Sequence, residues 1–208
     1  MRSRILIAIS LLLIAAELTA QTKPRTPPPL LRRSIRILGG YAWPVSREPW
    51  LKYWSPGPTA SIEFMTRVSR QFWLGVGADG AGFWFRAGKF AQLNPGAQLR
   101  NIPIALLTVE LVGRLDLAAG KRWTPYLGFS AGIGKVSEAV YIETINSVRV
   151  IRFNIPGRTR LQGGLAGGIE CQLSRKVAVD AEVKGTYFHN DPAVGWYVAG
   201  RGGLRFLF

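Results

Sequence analysis

From Ser34 onward, apolar and polar side chains alternate with a period of two, the spacing of a β-strand whose faces meet different surroundings. The pattern predicts eight strands, at roughly 34–42, 58–68, 71–84, 102–116, 124–139, 159–173, 177–188 and 196–208. The fourth is the clearest. Ala105, Leu107, Val109, Leu111, Gly113, Leu115 and Leu117 share one face, and Thr108, Glu110, Val112, Arg114 and Asp116 the other. A helix over these residues would scatter Glu110 and Arg114 among leucines, and Gly113 would weaken it. The seventh sets Val177, Val179, Ala181, Val183, Gly185 and Tyr187 against Ala178, Asp180, Glu182, Lys184 and Thr186. In the eighth, Trp196, Val198, Gly200, Gly202, Leu204, Phe206 and Phe208 oppose Tyr197, Ala199, Arg201, Gly203, Arg205 and Leu207.

The connections alternate in length. Short ones fall near Ser69-Arg70, Ala118 to Trp123 and Ser174 to Lys176; longer ones cover Trp43 to Gly57, Phe85 to Asn101, Val140 to Arg158 and His189 to Gly195. Short turns on one rim and long loops on the other are the habit of outer-membrane barrels, with the short turns periplasmic. The expected fold is all-β, an eight-stranded antiparallel up-and-down transmembrane β-barrel. Within Val140 to Arg158 a second alternation predicts a twisted hairpin extending the fifth and sixth strands, with Pro156-Gly157 as a kink; a ten-stranded count is the alternative.

Alternation does not say which face is wet. A soluble barrel keeps apolar side chains inside, and a small membrane barrel inverts that. Two features favour inversion. The apolar face runs for about the 9–11 residues a tilted strand needs to cross a bilayer. Aromatic residues also gather at strand ends: Tyr41, Trp43, Trp84, Tyr187, Trp196 and Tyr197 toward the long loops, and Phe72, Trp73, Trp123, Tyr126, Phe206 and Phe208 toward the short turns. Rings at headgroup level form such girdles. The lumen then holds Arg36, Glu63, Arg67, Asp79, Glu110, Arg114, Asp116, Glu170, Asp180, Glu182, Lys184, Arg201 and Arg205, nearly balanced in charge. Glu110 and Arg114 are expected to share a network there. An eight-stranded lumen is about wide enough to be filled by side chains, so a permanent pore is not expected.

The N-terminus reads as an address. Basic Met1-Arg2-Ser3-Arg4, the apolar run Ile5 to Ala16 and Glu17-Leu18-Thr19-Ala20 have the layout of a signal peptide over residues 1–20, cleaved after Ala20. Residues 21–33 form a Pro-rich basic linker, and residues 34–208 the barrel domain. No run of 18 apolar residues follows, which excludes a helical multi-span protein. The 208 residues carry 27 Lys plus Arg against 12 Asp plus Glu, a formal charge of +15, or +14 after loss of Arg2, Arg4 and Glu17. Since most acids lie on the lumen face, the positive excess belongs to the linker, turns and loops.

Candidate chemistry is sparse. One Cys makes no intramolecular disulfide and no thiolate zinc site, and one His leaves little for a metal or nucleophile centre. Cys171, between Ile169 and Leu173, reads as a small apolar side chain on the outer face. Gly75-Val76-Gly77-Ala78-Asp79-Gly80 lacks the Lys and following helix of a phosphate loop. No catalytic residue, cofactor site or metal site is expected.

The Gly-alternating strand Pro125-Tyr126-Leu127-Gly128-Phe129-Ser130-Ala131-Gly132-Ile133-Gly134 resembles strands of the small outer-membrane β-barrel family that includes OmpA-like and OmpX-like barrels. So do Gly163 to Gly168 leading into Ile169-Glu170-Cys171-Gln172-Leu173, and the ending Leu204, Phe206, Phe208. The resemblance covers about residues 34–208. It implies an outer-membrane location, lipid contact, and recognition of the aromatic-ended last strand by the barrel-assembly machinery. Tethering to the cell wall through a periplasmic peptidoglycan-binding domain like that of OmpA is not expected. His189-Asn190-Asp191 sits where lipid-processing barrels of the outer membrane place a rim His, but Asp191 stands where they carry Ser.

The expected role is therefore non-enzymatic, structural or in surface interaction, and without nucleic acid. A narrow porin-like channel and a lipid-modifying enzyme are the alternatives, with a secreted soluble binding barrel as a further class. Arg149, Arg152, Arg158 and Arg160, with Arg47, Lys52, Arg86, Lys89 and Arg100, make the long-loop side basic. The planar forks of the arginines suit lipopolysaccharide phosphates, although a solvated basic loop explains the charge equally well.

Overall fold

A computed structural model describes residues 33–45, 54–93, 103–118, 121–137, 139–145, 148–155, 159–190 and 193–208. The expected signal peptide and nearly all of the expected linker lie outside them. Eleven strands and one helix follow in order: β1 (Arg33–Pro44), β2 (Trp54–Ser55), β3 (Gly57–Arg67), β4 (Phe72–Phe85), α1 (Ala87–Leu93), β5 (Pro103–Asp116), β6 (Trp123–Val136), β7 (Ala139–Ile145), β8 (Val148–Ile155), β9 (Thr159–Gln172), β10 (Val177–Asn190) and β11 (Ala193–Leu207).

Eight of these strands close a barrel in the order β1-β3-β4-β5-β6-β9-β10-β11, every pairing antiparallel, with β11 returning to β1. The seam runs in register from Ser34↔Leu207 to Pro44↔Tyr197. At its foot the amide of Arg33 donates to the carbonyl of Phe208 (3.1 Å), and that of Phe208 to Arg33 (3.0 Å). Closure leaves no strand edge, the condition for placing backbone polar groups in lipid. The two-residue β2 continues the line of β3 along β4, separated from it by Pro56, which has no amide to donate.

The eight alternating segments are the eight barrel strands, and their ends agree within three residues. Val140 to Arg158 holds the expected hairpin: β7 and β8 form a two-stranded sheet of their own, and the closed eight-strand order sets aside the ten-stranded count. Pro156-Gly157 lies outside the described residues. Two long connections differ from expectation. Phe85 to Asn101 includes the short helix α1. His189 to Gly195 is no long loop, because β10 and β11 stay paired to Asn190↔Ala193, leaving two residues between them.

The outer face is apolar. Val109, Leu111, Leu161 and Leu165 are among its most exposed side chains, Leu165 at 75%. Continuous apolar surface on this scale is foreign to soluble monomers. The lumen holds the charge: every residue of the expected inward set is buried except Arg67, which is half-buried. Three of the twelve expected girdle aromatics also turn inward, namely Trp73, Tyr126 and Tyr197. Each is drawn in by a partner described below. Tyr41, Trp43, Trp84 and Trp196 stay exposed toward the long loops, and Trp123, Phe206 and Phe208 toward the short turns.

Candidate functional site: the charged lumen

Strand parity delivers the lumen side chains. Glu110, Arg114 and Asp116 come from β5, and Asp180, Glu182 and Lys184 from β10, at alternate positions. Register then sets like charges side by side. Asp180 pairs with Glu170, and Arg36 with Arg205. Opposed like charges destabilise a sheet unless a counter-charge lies between them.

Counter-charges come from across the barrel. Arg114 reaches Asp116 (2.7 Å), Glu170 (2.8 Å) and Asp180 (3.4 Å). Arg205 also holds Glu170 at 2.9 Å and donates to the Ser34 hydroxyl at 3.1 Å. Arg36 pairs with Glu63 (3.0 Å), Asp180 (3.5 Å) and Glu182. Lys184 spans Glu110 (2.6 Å) and Asp79 (2.9 Å), while Arg201 joins Asp79 (2.5 Å) to Glu182. The sequence expectation that Glu110 and Arg114 share a network holds, but they do not pair: the cation facing Glu110 is Lys184.

The network links five cations, Arg36, Arg114, Lys184, Arg201 and Arg205, to seven acids, Glu63, Asp79, Glu110, Asp116, Glu170, Asp180 and Glu182. Its ion pairs branch without closing a circuit, so each is the sole ionic link between its two sides. Arg36 is the central node. Without it Glu63 is stranded and the Arg114 and Arg201 branches separate.

The inward aromatics serve this network. The Tyr126 ring lies 3.9 Å from the Arg114 guanidinium and 5.1 Å from that of Arg36, and its hydroxyl donates to Glu182 at 3.1 Å. The Trp73 ring lies 3.9 Å from Arg205 and 5.2 Å from Arg67, and its indole N–H donates to Asp116 at 2.9 Å. Cations over ring faces gain most where water is excluded. Tyr197 instead packs edge-on against Phe83 at 5.6 Å. Parity separates such rings from girdle rings, since Trp73 shares a face with Asp79 and Tyr197 with Arg201 and Arg205; position at a strand end alone does not.

Apolar groups close both ends of the charged layer. Trp54, Phe83, Phe85, Ile104, Phe188 and Tyr197 belong to a buried cluster inside the long-loop mouth, and Met65, Trp73, Val112 and Leu207 to one near the short turns. Between them lies a cavity of about 20 Å³, bordered by Glu110, Arg114, Ser130 and Lys184, with room for a water or two. Glu110 Oε2 and Ser130 Oγ, both buried, have no protein partner there. This arrangement can hold internal water and a fixed charge pattern. Among the described residues no group of His, Cys, Asp and Glu is arranged to hold a metal.

The other singled-out residues lie apart. Cys171 sits half-buried opposite Trp123, on the outer parity with Ile169. Arg160 is half-buried on β9, on the lumen parity with Gln162, and so is not a loop residue as expected. Arg149 and Arg152 belong to β8; Arg158, Arg47, Lys52 and Arg100 lie outside the described residues. Arg86 and Lys89 are exposed beside and on α1. His189 and Asn190 end β10, and Asp191 lies outside the described residues.

A closed eight-stranded antiparallel barrel with an apolar exterior and a charged lumen is the architecture of small outer-membrane barrels. Among solved structures the chain is similar to Neisserial surface protein A, at 13% identity over 85% of this chain and 97% of that one, with a TM-score of 0.57. It is also similar to the N-terminal β-barrel domain of Pseudomonas aeruginosa OprF, at 12% identity over 84% and 97%, with a TM-score of 0.45. At such identities the likeness is one of fold. No protein-family model and no curated protein matches the sequence.

Proposed function

We propose that this protein resides in the outer membrane as a non-enzymatic, non-conducting barrel whose role is structural or in surface interaction. The inversion of polarity carries this reading: exposed leucines and valines outside, a single ion-pair network inside. Water would penalise that exterior, whereas each Leu or Val moved into hydrocarbon gains about 1.5–3 kcal/mol. Cell fractionation with electrophoresis before and after boiling tests it. Outer-membrane recovery with heat-shifted mobility is expected; a freely soluble periplasmic protein would overturn the reading.

The surface partner proposed for the long-loop side is lipopolysaccharide. The supporting observation is a register shift in the β7–β8 hairpin. Glu143 pairs with Ile151 but Thr144 with Arg149, so Val150 is bulged. The bulge brings Arg149 and Arg152, three residues apart, onto one register face of the hairpin, where strict alternation would separate them. Two arginine positions on one register face suit neighbouring phosphates. Replacing Arg149, Arg152 and Arg158 with Gln should lower co-purified lipopolysaccharide at low salt and flatten its salt dependence. Unchanged retention at both salts removes this partner and leaves the barrel reading intact.

A further inference from the structure

The opposite rim carries positive charge that the lumen network never reaches. Arg33 opens β1 and Arg67 closes β3; Arg70 lies in the next turn, Lys121 and Arg122 precede β6, and Arg175 and Lys176 lie between β9 and β10. Arg33, Arg70, Arg122, Arg175 and Lys176 are exposed. The described residues of these three turns include no acid. The acids that flank these turns in sequence, Glu63, Asp79, Asp116, Glu170 and Asp180, are all buried in the lumen and paired there with Arg36, Arg114, Lys184, Arg201 or Arg205. Among the described residues, the side chains of the five exposed cations and of Lys121 have no ion pair or hydrogen bond. Only Arg67 is occupied, donating to the carbonyls of Ser69 and Arg70.

Clustered cations without counter-charge repel one another unless a partner brings anions. Height identifies that partner. Trp123 directly follows Arg122 and is half-exposed, and Phe206 and Phe208 reach the same rim. Exposed rings mark headgroup level, so the cations just beyond them meet phosphates. The distribution agrees. The cations occupy the three turns β3–β4, β5–β6 and β9–β10 together with the start of β1, and so encircle the barrel. An annulus of headgroups contacts every side of the rim, whereas a protein partner would be served by one side.

We infer that the short-turn rim is a collar that binds the phosphates of anionic phospholipids in the leaflet it enters. The inference rests on the membrane residence proposed above. The protein is reconstituted into vesicles of equal parts phosphatidylcholine and phosphatidylglycerol, insertion is confirmed by heat-shifted mobility, and lipids retained in mild detergent are identified by native mass spectrometry. Phosphatidylglycerol should be retained over phosphatidylcholine by about tenfold at low salt and fall toward parity at high salt. The variant R70Q/R122Q/R175Q/K176Q should insert normally and lose the preference, and R175Q/K176Q alone should lose part of it. The long-loop variant R86Q/K89Q/K135Q should keep it. An inserted protein without the preference overturns the collar alone, as does a preference that survives in the four-fold turn variant or is lost in the loop variant. Displacement by inorganic phosphate, or retention of peptidoglycan fragments in place of lipid, overturns it as well. Failure to insert overturns the membrane reading with it.

Discussion

Tyr126 shows how much one lumen position carries, since its ring lies beneath two arginines while its hydroxyl serves Glu182. Room for it comes from Gly168, its register partner on β9. A Cβ at Gly168 would sit 2.4 Å from the Tyr126 hydroxyl and 2.6 Å from the Ala181 carbonyl. Gly168→Ala should therefore destabilise the barrel by about 1–3 kcal/mol through overpacking, read from urea unfolding in lipid bilayers. An unchanged midpoint would mean that Tyr126 moves aside without loss. Glu110 and Lys184 make an unequal pair. Lys184 keeps Asp79 when Glu110 is removed, but Glu110 has no second cation. Lys184→Ala should cost about 3–5 kcal/mol, Glu110→Ala less, and the double variant less than their sum. Equal single costs with strict additivity would refute the pairing. The presence of these groups in the lumen was legible from parity alone. Their partners were not, because Lys184 meets acids 74 and 105 residues away in the chain, and alternation carries no information across the barrel.

At the scale of elements, the β7–β8 hairpin is separable. Among the described residues its strands pair only with each other, while β6 and β9 stay paired up to Lys135↔Thr159. Replacing residues 138–158 with a short turn should leave heat-shifted mobility and unfolding stability nearly unchanged, because barrel pairing ends at Ser137, whose amide donates to the Ala105 carbonyl, and at Thr159. Loss of the folded band on gels would show that the hairpin supports the barrel. The same deletion should remove lipopolysaccharide retention if Arg149 and Arg152 carry it. Sequence located this hairpin by its second alternation. It missed α1 and the tight β10–β11 turn: α1 is only seven residues long, and Asp191-Pro192 reads equally well as the middle of a longer loop.

For the whole molecule, eight strands, their parity and the inverted faces were readable because a strand between an apolar exterior and a polar lumen must alternate. The apolar clusters at the two mouths were not. Ile104 and Leu106 lie on the lumen side of β5, where outward-facing Ala105 and Leu107 interleave with them, so the run is apolar on both faces and the period vanishes. These clusters flank the charged layer at its two ends. Planar bilayers containing the protein should show no steady conductance. Reproducible ion-selective openings would restore the channel alternative.

The branching ion-pair network constrains the order in which the barrel can assemble. Seven of the eleven ion pairs join the first four barrel strands, β1, β3, β4 and β5, to the last four. Asp79 and Glu110 find cations only on β10 and β11, and the acids of Lys184 lie only on β4 and β5. A half-built barrel would face hydrocarbon with carboxylates and an ammonium that nothing yet neutralises, at several kcal/mol per ion. In the membrane proposed above, insertion strand by strand would therefore be uphill until the last pair of strands arrives, and passage into the bilayer and zipping of the β1–β11 seam would become one kinetic event.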